Sequence, residues 1–153
     1  MFARPEGRKV DMEARKEIPR DDCWQLLANN HVGRVALSMK DLPRILPVQY
    51  YVNDDETIAI CLGTYRVSEQ SGHGAVIAFA ADDIDPVLRS GWSVQAVGRS
   101  TFEYADIDTP VDCGQPTAGM IVRLEPDVLN GQWLSLCPFM AANTFWDPTV
   151  ESD

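Results

Sequence analysis

Hydrophobic and polar residues alternate along much of the chain, in short stretches separated by turn-forming residues. Val35, Leu37 and Met39 fall on one side of such a stretch, and this alternation is typical of a strand with one buried face. The pattern predicts six strands, over residues 33–39, 45–52, 57–62, 75–80, 92–104 and 120–124. Residues 75–80 are apolar at every position and are expected to form the most deeply buried strand. Gly98, inside the long fifth strand, fits a bulge.

Turn signals separate these strands and indicate where each one ends. Polar or proline-containing turns are expected at residues 40–43 and 53–56, and residues 82–86 are expected to close the fourth strand. Glu125-Pro126 is expected to end the sixth strand, and Asn130-Gly131 indicates a further turn. Six short strands joined in this way predict a mainly β protein built as a small antiparallel barrel.

A helix is predicted just before the first strand. Pro19 and the acidic pair Asp21-Asp22 are typical of a helix start, because negative side chains face the positive end of the helix dipole. The apolar stripe of this helix consists of Cys23, Trp24, Leu26 and Leu27. Residues 29–31 end the helix, and we expect the His31 side chain to cap the last carbonyl groups rather than to act in catalysis.

The 153 residues form one domain with short extensions. Residues 1–17 mix both charge signs without an apolar period, which predicts a mobile arm or a strap onto a neighbouring subunit. Residues 18–143 are expected to form the folded domain, and residues 144–153 a flexible tail. Within the domain, residues 63–74 and 105–117 are polar and glycine- or proline-containing, so connecting loops are expected there.

The charge distribution excludes several classes of partner. The net charge is −10, and residues 1–20 hold six of the 13 cations and four of the 23 anions. The other 133 residues therefore hold seven cations and 19 anions, a net charge of −12. Such an acidic domain is not expected to bind nucleic acid or an anionic membrane surface. With no apolar leader or spanning segment in the sequence, we expect a soluble cytoplasmic protein.

Self-contained catalytic and metal-binding motifs are absent from the sequence. The four cysteines are far apart and have no histidine nearby, so neither a zinc site nor a disulfide framework is predicted, and no metal is expected. His73 lies between two glycines and is expected to be an ordinary loop residue. No residue stands out as a general acid or base, so the catalytic residues stay unassigned.

Cations are so scarce that an anion site has few possible members. Arg66 follows Gly63 and Thr64, where a strand runs into a glycine-containing turn. Backbone amides, a hydroxyl and a guanidinium at such a turn are able to converge on a phosphate. An exposed loop arginine without a ligand explains Arg66 equally well at this stage.

Five segments, taken in order, resemble the pyridoxamine 5'-phosphate oxidase-like family of flavin-binding split β-barrels. They read LLANNHVGRVALSM, ILPVQYYV, TIAICL, AVIAFAADDID and GWSVQAVGRSTF, and they cover most of residues 20–126. The resemblance implies a six-stranded antiparallel split β-barrel that forms a homodimer. It also implies that two FMN molecules, or the related deazaflavin coenzyme F420, bind in grooves between the subunits.

The resemblance also assigns roles to individual positions. The strand with Pro47, Val48, Gln49 and Tyr50 resembles the one whose backbone lines the isoalloxazine ring. Because Tyr50 and Tyr51 alternate faces, at most one of them is expected to face the groove. Trp92 and Ser93 match a segment that contacts the ring or the ribityl chain. For Trp92, packing in the barrel core is an open alternative.

The phosphate-binding positions depart from the family pattern. Cys61 and Leu62 stand where the family has an arginine or tyrosine followed by a threonine, and Cys61 is interpreted as a small buried hydrophobic residue. Gly63 and Thr64 form a turn that is one residue shorter than usual, and Arg66 stands where a lysine is expected. The departure leaves three alternatives open: FMN, coenzyme F420 or no cofactor.

The resemblance therefore implies a flavin- or deazaflavin-dependent oxidoreductase that transfers hydride to a small organic substrate. Pyridoxamine phosphate oxidase activity itself is not expected, since few cations are left to hold a second phosphate. The alternative is a non-enzymatic split-barrel protein, either a ligand-binding or stress-linked module with a degenerate cofactor site or a ligand-free dimer. Arg123 matches a common arginine of the last strand, to which we give a structural role.

Overall fold

The computed structural model of the protein describes residues 15–63, 74–104 and 119–135. In chain order the elements of these ranges are β1 (Arg15–Ile18), α1 (Arg20–Ala28), β2 (Val32–Met39), β3 (Leu42–Val52), β4 (Ile58–Gly63), β5 (Val76–Asp85), β6 (Ser90–Tyr104) and β7 (Met120–Ser135). The strands form one antiparallel sheet in the order β1-β7-β4-β3-β2-β5-β6, and a further pairing of β6 with β7 closes six of them into a ring. The structure thus confirms the mainly β split-barrel fold.

Strand β1 adds a seventh strand that the alternation did not predict. Residues 15–18 pair with β7 in a register that sets Ile18 opposite Gly131, although residues 15–17 were expected to belong to a mobile arm. Ile18 is buried and supplies the apolar contact that fixes this short strand. The rest of the predicted arm, residues 1–14, lies outside the described residues.

The barrel interior is filled by alternate residues of the strands. Tyr50 and Phe79 are fully buried and meet edge to face, with ring centroids 4.7 Å apart. Helix α1 closes one side of this core with Cys23, Trp24 and Leu27, as its apolar stripe predicts. The Tyr50 hydroxyl donates a hydrogen bond of 2.8 Å to the Leu27 carbonyl. The Asn29 and Asn30 amides donate to the Gln25 and Leu27 carbonyls, so the helix end is capped by these amides and Tyr50 and not, as was expected, by the His31 side chain.

Strand β5 is longer and less buried than predicted. It continues to Asp85, because residues 82–85 pair with the first residues of β6 instead of turning. The turn follows at residues 86–89, where the Asp85 carboxylate accepts hydrogen bonds from the Val87 and Leu88 amides. Ile77 and Phe79 are buried, but Val76 is 67% exposed, so only one face of this apolar strand lies in the core of the single chain.

Strand β7 runs through both turns predicted for it. Pro126 lies opposite Gly98, and the register slips by one residue between Val97 and Gly98. The ladder is thus irregular at Gly98, as expected, but the extra residue is Asp127 on β7, and Pro126 belongs to this bulge rather than to the end of the strand. Gly131 marks a close approach, since a Cβ there would lie 2.4 Å from the Cys23 sulfur.

In the part of the chain that the structure describes, no helix has the length and apolar character needed to cross a membrane.

Candidate functional site

The candidate site lies on the outer face of the sheet, which we define as the face that points away from the barrel interior. On β3, Pro47 and Gln49 belong to this face and are exposed, whereas Val48 and Tyr50 point into the core. Gln49 is the register partner of Cys61 on β4. Pro47 is the register partner of Arg34 on β2. Strand pairing therefore brings four polar or irregular positions together on one surface.

Strand β3 has an open edge on the side of β4. Within the described residues, β4 pairs only with residues 49–52 of β3, so residues 45–48 have no strand partner on that side. The Tyr50 amide donates to the His31 carbonyl on the β2 side. Because backbone groups alternate between the two sides of a strand, those of Ile45 and Pro47 point toward the open edge. The edge offers one N–H and two carbonyl groups, since proline has no N–H.

The structure places four predicted site residues inside the barrel. Val48, Tyr50, Leu62 and Trp92 are all buried, so their side chains cannot line a ligand groove on the outer face. Alternation explains this result, because each of these residues adjoins one that points outward. Their contribution is to fix the backbone beneath the site, and for Trp92 the structure supports core packing.

Cys61, by contrast, is less buried than predicted. It was expected to be a buried hydrophobic residue, but it lies half-buried on the outer face between Gln49 and Ile121. Its neighbours Ile60 and Leu62 occupy the core positions instead. Gly63 follows with a φ of +58°, a left-handed conformation that suits glycine, and it pairs with Met120 at the irregularity of the β4–β7 ladder between Cys61 and Gly63. Thr64 and Arg66 lie outside the described residues.

Arg34 and Asp82 form an ion pair on the same face, which the sequence analysis did not single out. The Arg34 Nη1 atom lies 3.7 Å from the Asp82 carboxylate, and the two side chains are 63% and 36% exposed. Asp82 is the register partner of Ser93, a predicted site residue that is half-buried on the outer face. The sequence could have indicated Arg34 as a candidate, because it is one of only seven cations after residue 20.

A row of apolar side chains crosses the outer face next to these polar residues. Strand pairing sets its members side by side on five neighbouring strands: Ile45, Ala36, Ala78, Val97 and Val128. Ile45 is 70% exposed and Val128 is 45% exposed. We call this set the apolar row. An exposed apolar surface that continues across several strands is typical of an interaction surface.

Arg123 has the structural role that we expected for it. Its guanidinium contacts the Asp55 carboxylate and donates a hydrogen bond of 3.2 Å to the Thr57 hydroxyl. Thr57 in turn donates to Asp55, and Asn53 donates to Thr57. Hydrogen bonding from Thr57, followed by the charge and hydrogen bond of Arg123, lowers the pKa of Asp55 below its usual range. These contacts tie the turn between β3 and β4 to strand β7.

The described residues fit a planar ring better than they fit a phosphate. The open edge of β3 offers hydrogen-bonding backbone groups beside the outer face of the sheet, which suits the rim of a heteroaromatic ring. Three described cations lie on this face. Arg34 and Arg123 are engaged by carboxylates, and Arg99 lies on β6, three strands away from β3. Across the described ranges, no group of three or more histidine, cysteine, aspartate or glutamate side chains is arranged to hold a metal ion.

The closed ring with an open strand edge defines the protein as a split β-barrel. The family model described as pyridoxamine 5'-phosphate oxidase matches residues 19–108. The chain is also 32% identical to the uncharacterized protein Rv0080 of Mycobacterium tuberculosis, over 83% of this chain and 92% of the relative. The protein therefore belongs to the pyridoxamine 5'-phosphate oxidase family.

Solved structures with low sequence identity share the fold. The FAD binding protein of Mycobacterium smegmatis is 21% identical with a TM-score of 0.59, over 79% of this chain and 99% of that one. A FAD-binding protein of Mesorhizobium loti is 16% identical with a TM-score of 0.59 and the same coverage. At this level of identity the similarity establishes the arrangement of strands.

Proposed function

We propose that the protein binds a flavin on the outer face and acts as an oxidoreductase, with FMN as its cofactor and coenzyme F420 as the alternative. The observation that carries the proposal is the open edge of β3, where the backbone groups of Ile45 and Pro47 have no strand partner within the described residues. Membership of the pyridoxamine 5'-phosphate oxidase family supports it. So do structural relatives that are themselves named as FAD-binding proteins.

In this proposal, the ring lies along the open edge and the outer-face side chains surround it. Gln49, Cys61 and Ser93 offer polar atoms around the ring and the ribityl chain, while Arg34 and Arg66 are the cations available to a phosphate. The flavin supplies the redox chemistry, taking up hydride from a donor such as a nicotinamide and passing it to a small organic substrate. The protein orients the ring and excludes water from one of its faces.

We also propose that the protein works as a homodimer whose subunits meet at the apolar row. Residues 75–80 are apolar at every position, yet the barrel buries only alternate ones and leaves Val76 exposed. Ala36 and Ile45 extend the same surface onto β2 and β3. A second copy on this face would cover the exposed apolar side chains and enclose a ligand held beside Pro47.

Flavin binding is tested by titrating the purified protein with FMN, FAD and coenzyme F420, following ligand fluorescence. Saturable binding of one of them at micromolar concentration is expected. Gln49→Trp places a bulky ring beside the open edge and is expected to weaken binding at least tenfold. Gln25→Trp, the same substitution on the exposed side of α1, is the matched control and should bind normally. Failure of the protein to bind any of the three ligands would contradict the proposal.

The redox activity needs a separate measurement on the loaded protein. Anaerobic mixing with NADH or NADPH is expected to bleach the visible absorbance of the bound flavin, and a small organic acceptor should restore it. A protein that binds flavin weakly, takes up no hydride from either nicotinamide and gives none to acceptors would instead be a non-enzymatic ligand-binding protein. Leu62 is buried where the family has a phosphate-binding threonine, and the loss of that phosphate contact favours this second candidate.

A further inference from the structure

We infer that Asp82 is a specificity-determining residue that lowers the preference of the site for phosphorylated over unphosphorylated flavins, because its carboxylate holds Arg34. This inference rests on the proposed function. It names the charge of the ligand that the site selects, which neither the fold nor the family specifies.

On the outer face, Arg34 is the described cation closest in register to the open edge of β3, because Arg44, on β3 itself, belongs to the side of Leu46 and Val48. Its partner across the β2–β3 ladder is Pro47, whose backbone carbonyl points to that edge. Its partner across the β2–β5 ladder is Ala80. Neither neighbour is charged, so the charge environment of Arg34 on the adjoining strands is set two residues farther along β5, at Asp82.

The contact between Arg34 and Asp82 is loose enough for a ligand to compete with it. The 3.7 Å separation between Nη1 and the carboxylate exceeds ordinary hydrogen-bond lengths. The Arg34 side chain is 63% exposed, so both groups keep much of their hydration. Exposed pairs of this kind contribute little to stability. The guanidinium is therefore free to turn toward an incoming phosphate, but it must leave the carboxylate to do so.

Asp82 itself is held in place from the backbone. The Asn30 side-chain amide lies 3.4 Å from the Asp82 carbonyl oxygen, to which it donates. The Asn30 side-chain oxygen Oδ1 accepts a hydrogen bond of 2.8 Å from the His31 backbone amide. Asn30 thereby links the start of β2 to β5. The Asp82 backbone is thus fixed beside Arg34, so a ligand phosphate at Arg34 meets an acidic group anchored at its Cα.

The consequence is a site with almost no net charge where a phosphate would need a positive one. Arg34 and Asp82 sum to zero, and the remainder of the folded part is strongly acidic. A phosphate that pairs with Arg34 also faces the Asp82 carboxylate at close range, where like charges repel. Uncharged riboflavin escapes that repulsion. We therefore expect the protein to bind FMN and riboflavin with similar affinity.

The test compares FMN and riboflavin binding to the wild-type protein, Asp82→Asn and Asp83→Asn. Asp83 is the adjacent residue of β5 and is exposed on the opposite side of the strand, so its variant removes the same charge from nearly the same place. Asp82→Asn is expected to tighten FMN binding about two- to fivefold, as befits a partly exposed pair, and to leave riboflavin binding unchanged. Asp83→Asn should leave the affinities for FMN and for riboflavin unchanged.

A third variant and the salt dependence complete the experiment. Arg34→Gln is expected to weaken FMN binding to the Asp82→Asn protein and to have little effect on riboflavin. The gain in FMN affinity should shrink at high ionic strength, because salt screens exposed charges. An FMN-to-riboflavin ratio that is the same in Asp82→Asn and Asp83→Asn overturns the inference while leaving flavin binding intact. Absence of binding by either flavin to all variants overturns the proposed function, and this inference with it.

Discussion

Tyr50 illustrates how one residue decides between two readings of the same strand. It was a candidate for the cofactor groove, but its ring is buried against Phe79 and its hydroxyl donates to the last turn of α1. Burial raises the pKa of the Tyr50 hydroxyl, which keeps it protonated and able to donate throughout the physiological range. Tyr50 therefore serves the fold by joining the helix to the barrel.

Removing this hydroxyl gives the first prediction. Tyr50→Phe keeps the ring but removes one of two hydrogen bonds to the Leu27 carbonyl, which still accepts from the Asn30 amide. Loss of one such hydrogen bond costs about 0.5–1.5 kcal/mol. Chemical denaturation followed by circular dichroism should show a free energy of unfolding lower by that amount, with an unchanged slope against denaturant. A variant as stable as the wild type would mean that water or another donor satisfies the helix end.

For the side chains of the candidate site, the alternation of residues along each strand was the only basis for a prediction from the sequence. Alternation alone separates Pro47 and Gln49 from Val48 and Tyr50. It does not say which set faces the core, because both sets contain apolar or amphipathic residues. The same ambiguity placed Cys61 in the interior, since a cysteine between Ile60 and Leu62 is equally compatible with either face. The partners across the sheet decide such cases, and these are not adjacent in sequence.

Gly131 provides a second residue-scale prediction. A Cβ at this position would lie 2.4 Å from the Cys23 sulfur and 2.9 Å from the Ile18 Cβ. Gly131→Ala is therefore expected to destabilise the protein by about 1–3 kcal/mol through overpacking. Cys23→Ala removes the sulfur, so the double variant should be more stable than the sum of the two single effects. Strictly additive effects in thermal or chemical denaturation would show that the sulfur is not the obstacle.

At the scale of elements, the turn between β3 and β4 is tied to β7 by the Asp55, Thr57 and Arg123 contacts. The Thr57 hydroxyl donates once, to Asp55, and accepts from both Asn53 and Arg123. This uses the full hydrogen-bonding capacity of a buried hydroxyl. The network explains why an arginine lies in the middle of an apolar strand without serving a ligand.

This network predicts how stability depends on pH. The pKa of Asp55 is lowered in the folded state, so its contribution is present above the unfolded value of about 3.9 and is lost as the pH falls through the folded value. Asp55→Asn removes that contribution. The stability difference between wild type and variant should therefore be largest near neutral pH and shrink below about pH 4.

The control for this prediction lies in the same turn. Asp54→Asn removes one negative charge beside the network without taking away any of its hydrogen bonds. Denaturation curves collected from neutral to acidic pH should show the pH-dependent difference for Asp55→Asn alone. Equal pH profiles for the two variants would attribute the effect to the total charge of the turn.

The elements themselves were predicted well at their centres and poorly at their ends. All six predicted strands are present, and α1 matches its predicted start and apolar stripe. The errors fall on residues that break strands in most contexts, Pro126, Gly131 and the acidic stretch ending at Asp85. In each case a contact with a residue distant in sequence lets the strand continue. Pro126 lies in a bulge opposite Gly98, Gly131 packs against the Cys23 sulfur, and residues 82–85 pair with β6. The residues next to each of these positions in the sequence do not indicate those partners.

At the scale of the whole molecule, the exposed apolar row stands in contrast to an acidic chain. A net charge of −10 keeps single chains apart, because like charges repel over about a Debye length. The row from Ile45 to Val128 nevertheless crosses five strands with uncharged aliphatic side chains. A surface kept free of charge in so acidic a chain favours burial against a second copy over exposure to water.

The proposed dimer at this face yields the last prediction. Ile45→Glu introduces a charge at a side chain that is 70% exposed in the single chain, so folding should be little affected. In a dimer, the same carboxylate would be desolvated against an apolar surface, which is costly. Size-exclusion chromatography with light scattering should give twice the 17.0 kDa chain mass for the wild type and the single mass for Ile45→Glu.

Val87→Glu is the matched control, because Val87 is 86% exposed at the turn between β5 and β6 and lies outside the apolar row. It adds the same charge to an equally accessible aliphatic position, so the mass of this variant should equal that of the wild type. A monomeric wild type, or a dimer that survives Ile45→Glu, would remove the apolar row from the interface. A flavin held beside Pro47 would then be open to solvent on that side, and the exclusion of water would have to come from the single chain.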